Sequence, residues 1–227
     1  ARRTTIENKM AAVEKLAETD PNQGGTHLKI LAEITRLRQA CCNPKLVQSD
    51  IEIPSSKLAL FNETIEELLE NGHKVLVFSQ FVQHLKILES NLQQRKVNYQ
   101  YLDGSTSRKK RQTAIDAFQE GKGDVFLISL KAGGVGLNLT AADYVIHMDP
   151  WWNPAVEDQA SDRAHRIGQK RPVTIYRLVT EGTIEEKIVQ LHSQKRDLAD
   201  SLLSGTNKGN KMSAEDLMNL IKEGMKN

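Results

Sequence analysis

The chain is short of several things, and each shortage closes off a class of protein. Only two cysteines occur in 227 residues, Cys41 and Cys42, and they are adjacent. Neighbouring cysteines rarely close a structural disulfide, and there is no CxxC spacing or His/Cys cluster to hold zinc. Both therefore read as buried, reduced thiols in a helix, which suits a reducing compartment. Aromatics make up 5% of the residues, so a core must be built mainly from Leu, Ile, Val and Ala. No apolar run is long enough to span a membrane, and no secretory leader is visible. The formal net charge of +2 neither requires nor excludes nucleic acid, because a basic surface can hide inside a near-neutral total. No G-x-x-x-x-G-K-[ST] string occurs, so a complete phosphate-cradling loop is missing. The glycine-rich loop KAGGVGLNL (131–139) departs from the dinucleotide fingerprint G-x-G-x-x-G, with Leu139 at the third glycine position. The opening ARRTTIENKM has no initiator methionine, as expected of a piece of a longer chain.

What is present has a clear order. Residues 1–54 read as helical: Ile6, Met10, Val13 and Leu16 recur at helical spacing, DPNQGG (20–25) breaks the pattern, and Thr26 caps a second helix through Cys42, ended before Pro44. The stretch 48–56 reads as a linker. From Lys57 the pattern changes to short apolar runs alternating with amphipathic helices. The runs are KVLVFSQ (74–80), VNYQYL (97–102), DVFLISL (124–130), DYVIHMD (143–149) and VTIYRLV (173–179). Such alternation predicts βαβ units, a five-stranded parallel sheet of the doubly wound α/β class over 55–182, and ligand loops at the carboxyl ends of the strands. Thr183 and Glu186 form a T-x-x-E capping box that starts a long helix. A glycine-rich tether (204–211) and a short terminal helix capped by Ser213 complete an extension over 183–227.

The segment DQASDRAHRIGQ (158–169) crowds Arg163, His165 and Arg166 into four positions, an arrangement that repels itself unless an anion lies opposite. Asn153-Pro154 is a cap followed by proline at the first helical position, and Gly168 stands where a helix stops, so a helix of about 14 residues is predicted. On its wheel Gln159, Arg163 and Arg166 share one face, and Val156, Ala160, Ala164 and Ile167 share another suited to the sheet. Guanidinium and amide groups offer planar, directional donors for phosphate oxygens. The bland alternative is a solvated face with Asp158 and Asp162 as ion-pair partners. Trp151-Trp152 reads as one core residue and one interface residue, and His165 as a residue that packs or that supports the neighbouring arginines.

QASDRAHRIGQ resembles the last helicase motif of superfamily two, in the form typical of SWI/SNF-type DNA translocases. The neighbours agree: VLVFSQF (75–81), YLDGSTS (101–107), SLKAGGVGLNLTAADYVIHMDPWWNP (129–154) and LRQACCNPKLV (37–47) resemble the same family's segments, in the same order. The resemblance implies a RecA-like second motor lobe of a P-loop NTPase, flanked by helical extensions. Its partner is an N-terminal RecA-like lobe that carries the phosphate loop and the acidic metal-binding pair and holds most of ATP and Mg2+. It further implies that Arg163 and Arg166 act as arginine fingers on the γ-phosphate, with Gln159, Gly134 and Gly136 on the nucleotide side. Double-stranded DNA is the second implied anion, met through Ser79, Gln80, Gly104, Ser105, Ser129 and Lys131, and through Arg108 and Lys109 of the basic run 108–111. Gly104, Ser105 and Thr106 are expected to open a helix whose N–H groups favour phosphate. The family reading leaves the remodelled complex open, RNA polymerase or another DNA-bound protein among the choices. It places the protein in the cytoplasm of a bacterium or archaeon, near the nucleoid, or in a nucleus. A strand-separating helicase, an RNA-dependent ATPase and a simple nucleic-acid-binding module remain as rival readings.

Overall fold

The structure, a computed structural model, describes residues 24–50, 52–132, 137–165, 169 and 171–203, those of 24–30 and 194–203 as backbone only. The helix expected before residue 20, the tether and the terminal helix lie outside the described residues. The chain divides into two compact units, Pro54–Val179 and a second that joins the stretches on either side, Ala1–Ile53 and Thr180–Asn227.

Pro54–Val179 alternates helix and strand throughout. Helix α2 (Ser56–Glu70) leads into β1 (Val75–Ser79), followed by α3 (Val82–Gln94), β2 (Tyr99–Leu102), α4 (Arg108–Gln119), β3 (Val125–Ser129), β4 (Tyr144–His147), α5 (Pro154–Ser161) and β5 (Thr174–Arg177). All neighbouring strands pair in parallel, in the order β2-β3-β1-β4-β5. The three central strands are covered on both faces, which is why they read as continuous apolar runs rather than as alternation. Leu76, Phe78, Phe126, Ile128 and Val145 pack on one face with Ile115 and Phe118 of α4 and Ala160 of α5. Val75, Val77, Val125, Leu127 and Ile146 pack on the other with Phe61, Ile65 and Leu68 of α2 and Leu85, Leu88 and Leu92 of α3. The edge strand β5 differs: Ile175 and Tyr176 are exposed, so its apolar sequence does not report burial.

Capping fixes where the helices begin. Ser55 accepts the Leu58 N–H at 3.3 Å and Ser107 the Lys110 N–H at 3.4 Å. Gly72, with φ of 73°, ends α2 as Asn71-Gly72 predicts, the His73 N–H reaching back to the Leu68 carbonyl at 3.0 Å.

In the second unit, helix α1 (Gly24–Cys42) begins before Thr26, which therefore lies inside it and does not cap it. Cys41 and Cys42 are buried thiols not joined in a disulfide, as their adjacency predicts. Before α6 (Ile184–Leu203) the expected capping box is modified: Thr183 Oγ1 accepts the Glu185 N–H at 3.2 Å, and Glu186 reaches back to the Gly182 N–H at 2.9 Å. Among the described residues no helix is long and apolar enough to cross a membrane.

Candidate functional site

The carboxyl ends of β1, β2, β3 and β4 lie along one edge of the sheet, and nearly every described residue singled out from the sequence lies on or beside it. Parallel pairing sets Ser79 beside Ser129 and Phe78 beside His147.

At the ends of β1 and β3 the two serines are buried. The Ser79 hydroxyl donates to Asp149 Oδ1 at 2.5 Å, while Asp149 Oδ2 accepts the Gln80 N–H at 3.2 Å. Ser129 Oγ accepts the Ala132 N–H at 3.2 Å. Both hydroxyls, expected to face DNA, are turned inward, because a strand end that stops inside the protein leaves backbone donors that need acceptors. Gln80 is half-buried, and Lys131 stands exposed on the turn that Ser129 and Ala132 close.

The end of β2 is organised by a residue that sequence reasoning passed over. Asp103 is buried, and its Oδ1 accepts from the Ser105 N–H at 2.8 Å and the Ser105 hydroxyl at 2.6 Å. Tyr101 donates its phenol to Asp103 Oδ2 at 2.9 Å. Burial works to raise the Asp103 pKa, but the bonds from Ser105 and Tyr101 and the Lys86 charge outweigh it and hold the carboxyl below its ordinary value. Burial pushes the Tyr101 phenol well up, with Asp103 adding to the effect. The consequence is a correction: Gly104, Ser105 and Thr106 form an Asp-centred turn, and the helix starts at Arg108 with Ser107 as its cap. Gly104 and Ser105 remain exposed, with Arg108, Lys109 and Lys110 beside them. Arg111 leaves the basic run: its Nη1 donates to the Ala132 carbonyl at 2.7 Å.

Beyond β4, Asn153 caps α5 through the Ala155 N–H at 3.2 Å, with Pro154 at the first position, as expected. The helix is shorter than expected. It ends at Ser161, and the Arg163 and Ala164 N–H groups bond three residues back, to Ala160 and Ser161, which tightens the chain into a turn. Gln159 is exposed on the helix, Arg163 sits on the turn, and Arg166 lies outside the described residues, as do Gly134 and Gly136. Ala160 and Ala164 are fully buried in the sheet-facing core, and Val156 and Trp151 pack against it. His165 is exposed, so it is not a packing residue. Arg163 does not project freely from the edge. It is 7% exposed, with its guanidinium 5.8 Å from the Phe78 ring centroid and its Nε 3.4 Å from the Gln159 carbonyl. A weakly hydrated planar cation is well suited to such an aromatic face. Asp158 pairs with Arg177 at 3.5 Å.

Glu157 anchors this side. It is completely buried, accepting the Trp151 N–H at 2.7 Å and the Arg177 Nε–H at 2.6 Å. Beneath it, Ser161 Oγ donates to the Glu157 carbonyl at 3.0 Å and bonds His147 Nε2 at 2.9 Å. Since the hydroxyl proton is used on the carbonyl, the Nε2 of His147 is the donor. Burial, partly opposed by Glu157, pushes the His147 pKa down to about 4, so the ring is neutral. Nothing in the sequence marks Glu157 or Arg177, which are 20 positions apart.

The geometry is that of the strand-end edge where doubly wound sheets bind ligands, with exposed cations on one side and a buried-arginine turn on the other. The family described as Helicase conserved C-terminal domain matches residues 57–168. A putative ATP-dependent helicase/translocase of Bacillus subtilis is 39% identical over 198 residues, covering 85% of this chain and 22% of that protein. The chain spans about a fifth of the length of the curated relatives it matches. The Sulfolobus solfataricus SWI2/SNF2 ATPase C-terminal domain superposes with a TM-score of 0.76 at 30% identity, covering 97% of this chain and 92% of that one. The core of that ATPase in complex with double-stranded DNA superposes with a TM-score of 0.70 at 36% identity, covering 88% of this chain and 43% of that one. The chain therefore belongs to the SWI2/SNF2 family of superfamily-two ATPases, as a C-terminal RecA-like lobe.

Proposed function

We propose that the chain is the second motor lobe of an ATP-driven double-stranded DNA translocase that remodels protein–DNA complexes. The observation that carries the reading is the division of one sheet edge between two anion-directed surfaces. On the β2–β3 side, Gly104 and Ser105 on the Asp103 turn, Arg108, Lys109 and Lys131 are exposed together with no carboxylate of the turn left facing outward, since Asp103 is buried. This is the place for a phosphate backbone, and contacts of that kind carry no sequence preference. Ser79 and Ser129 serve this surface as buried strand-end anchors, and Gln80 adjoins it.

On the β4 side, the exposed Gln159 and the buried Arg163 serve the nucleotide bound on the other lobe, together with Arg166, Gly134 and Gly136. ATP and Mg2+ are held mainly by that N-terminal lobe, which supplies the phosphate loop and the metal ligands. Arg163 rests against Phe78 and meets the γ-phosphate when the lobes close, stabilising charge as it builds on the transferred phosphoryl group. Hydrolysis lets the lobes part, so the two backbone grips advance alternately along one strand. The similarity to a SWI2/SNF2 core in complex with double-stranded DNA supports the choice of duplex.

The test is Arg163→Ala in the full-length protein. DNA-stimulated turnover should fall by about 10³–10⁵-fold, the range for a lost arginine finger, while duplex affinity stays near wild type. Weakened DNA binding with turnover spared would place Arg163 on the DNA instead. A bound protein such as RNA polymerase is the object to be displaced, and a roadblock-clearance assay on duplex DNA identifies it.

A further inference from the structure

The last glutamine of QASDRAHRIGQ has no part in the mechanism so far. Gln169 is half-buried, and its side-chain amide is directed at three backbone carbonyls: Ala142 at 2.7 Å, Thr140 at 3.1 Å and Ala164 at 3.2 Å. Its Oε1 accepts the Arg171 N–H at 3.0 Å. Two of those carbonyls belong to the segment that follows the glycine-rich loop, and the third to the turn that carries Arg163. A second bond joins the same pieces, from the Leu139 N–H to the Arg163 carbonyl at 3.0 Å. Leu139, Ala142 and Ala164 are buried together in one core. The segment is also gripped from α4, where Gln119 donates to the Asn138 carbonyl at 3.1 Å and accepts the Ala141 N–H at 2.9 Å. Thus α4, which begins with Arg108 and Lys109, is bonded to residues 138–141, and residues 139–142 are bonded to the arginine turn.

We propose that Gln169 is a positioning residue that couples the two anion-directed surfaces, locking the Arg163 turn to the 139–142 segment so that DNA occupancy sets the placement of the arginine. A primary amide suits the task because it donates to carbonyls on both pieces at once while its oxygen holds the outgoing chain at Arg171. This inference rests on the function proposed above for Arg163.

The decisive variant is Gln169→Glu in the full-length protein, with Gln169→Ala beside it. Glutamate keeps the shape and the acceptor for Arg171 but removes the donors. The ratio of DNA-stimulated to basal ATP turnover should fall about tenfold in both variants, a loss of about 1.4 kcal/mol in the activated transition state. The duplex Kd and the KM for ATP should stay within about twofold of wild type, as expected when an interaction made only in the activated state is lost. A merely structural role lowers the melting temperature and the active fraction, yet leaves that ratio unchanged because both rates scale with folded protein. An unchanged ratio in either variant overturns the coupling, as does a wild-type ratio in Gln169→Glu alongside a reduced one in Gln169→Ala. Hydrogen exchange gives a readout that does not depend on the arginine finger. The Leu139 amide should exchange faster in Gln169→Glu, and unchanged protection overturns the lock. If Arg163→Ala retains full turnover while Leu139 exchange still rises in Gln169→Glu, the finger reading fails and the lock stands.

Discussion

The two halves of the sheet edge are built by different means. The turn after β2 is held by bonds between near neighbours: Asp103 binds Ser105 two residues away and Thr106 three away. The β4 side is held by bonds that span the unit: Glu157 to Arg177 across 20 positions and Gln169 to Ala142 across 27. A local turn presents its groups with little dependence on the rest of the fold. A turn assembled from distant pieces responds to what happens at each of them. The first arrangement suits a grip that holds a uniform backbone, and the second suits an arginine whose placement must change during a cycle.

The difference can be broken from the β4 side with the largest effect. Glu157→Ala leaves the Arg177 guanidinium without its buried partner and the Trp151 N–H without an acceptor. Each donor left unsatisfied costs about 1–3 kcal/mol, and Arg177 keeps Asp158 as a partner, so chemical denaturation should show a fall of a few kcal/mol. Glu157→Gln, which keeps an acceptor, should lose less.

Acid probes the same side more gently. His147 has a folded pKa of about 4 and His84, buried beside Lys57, one of about 3, against 6.5 when unfolded. The unfolded chain therefore takes up these protons first, and the stability contributed by neutral rings is complete above 6.5 and is lost as pH falls below it. At pH 5 the loss is on the order of 2 kcal/mol for each histidine. His147→Asn should flatten the acid limb of a stability–pH curve, and an unaltered limb would remove His147 from the account.

The local side should yield smaller changes. Asp103→Ala removes several short-range bonds and should cost roughly 1–2 kcal/mol of stability, but its sharper signature is a weaker grip on duplex DNA. Smallest of all is Lys131→Ala, which should reduce the slope of log affinity against log salt by about one unit. Ser79→Ala should leave that slope unchanged, because its hydroxyl is spent on Asp149. Duplex affinity should also stay unchanged in Ser79→Ala, and a drop in affinity would mean that the hydroxyl meets a phosphate rather than Asp149.

The same contrast explains what could be read from the sequence. The five strands, the cap at Asn153 and the turn at Gly72 were legible because periodicity and capping are properties of neighbouring residues. The short α5 was not. Asn153-Pro154 and Gly168 mark plausible ends for a longer helix, but the chain tightens after Ser161, where Ala164 is drawn into the sheet core and the Arg163 carbonyl is taken by Leu139. Gly104–Thr106 looked like a helix start because serine and threonine favour caps, and the buried Asp103 that makes them a turn is one carboxylate among 29 acidic residues. Likewise, the run 108–111 gives no hint that Arg111 points to Ala132 while its neighbours face solvent. Glu157, Arg177 and Gln169 became visible only once strands β4 and β5 were laid side by side. The family resemblance pointed to residues along this edge, whereas the bonds that organise it needed the fold.

The account depends most on duplex DNA being the partner that drives this motor. ATP turnover of the full-length protein should be measured with no nucleic acid, with duplex DNA, with single-stranded DNA and with RNA at matched salt. Strong stimulation by duplex DNA, above that by either single strand, is the predicted result, and preferential stimulation by RNA would contradict it.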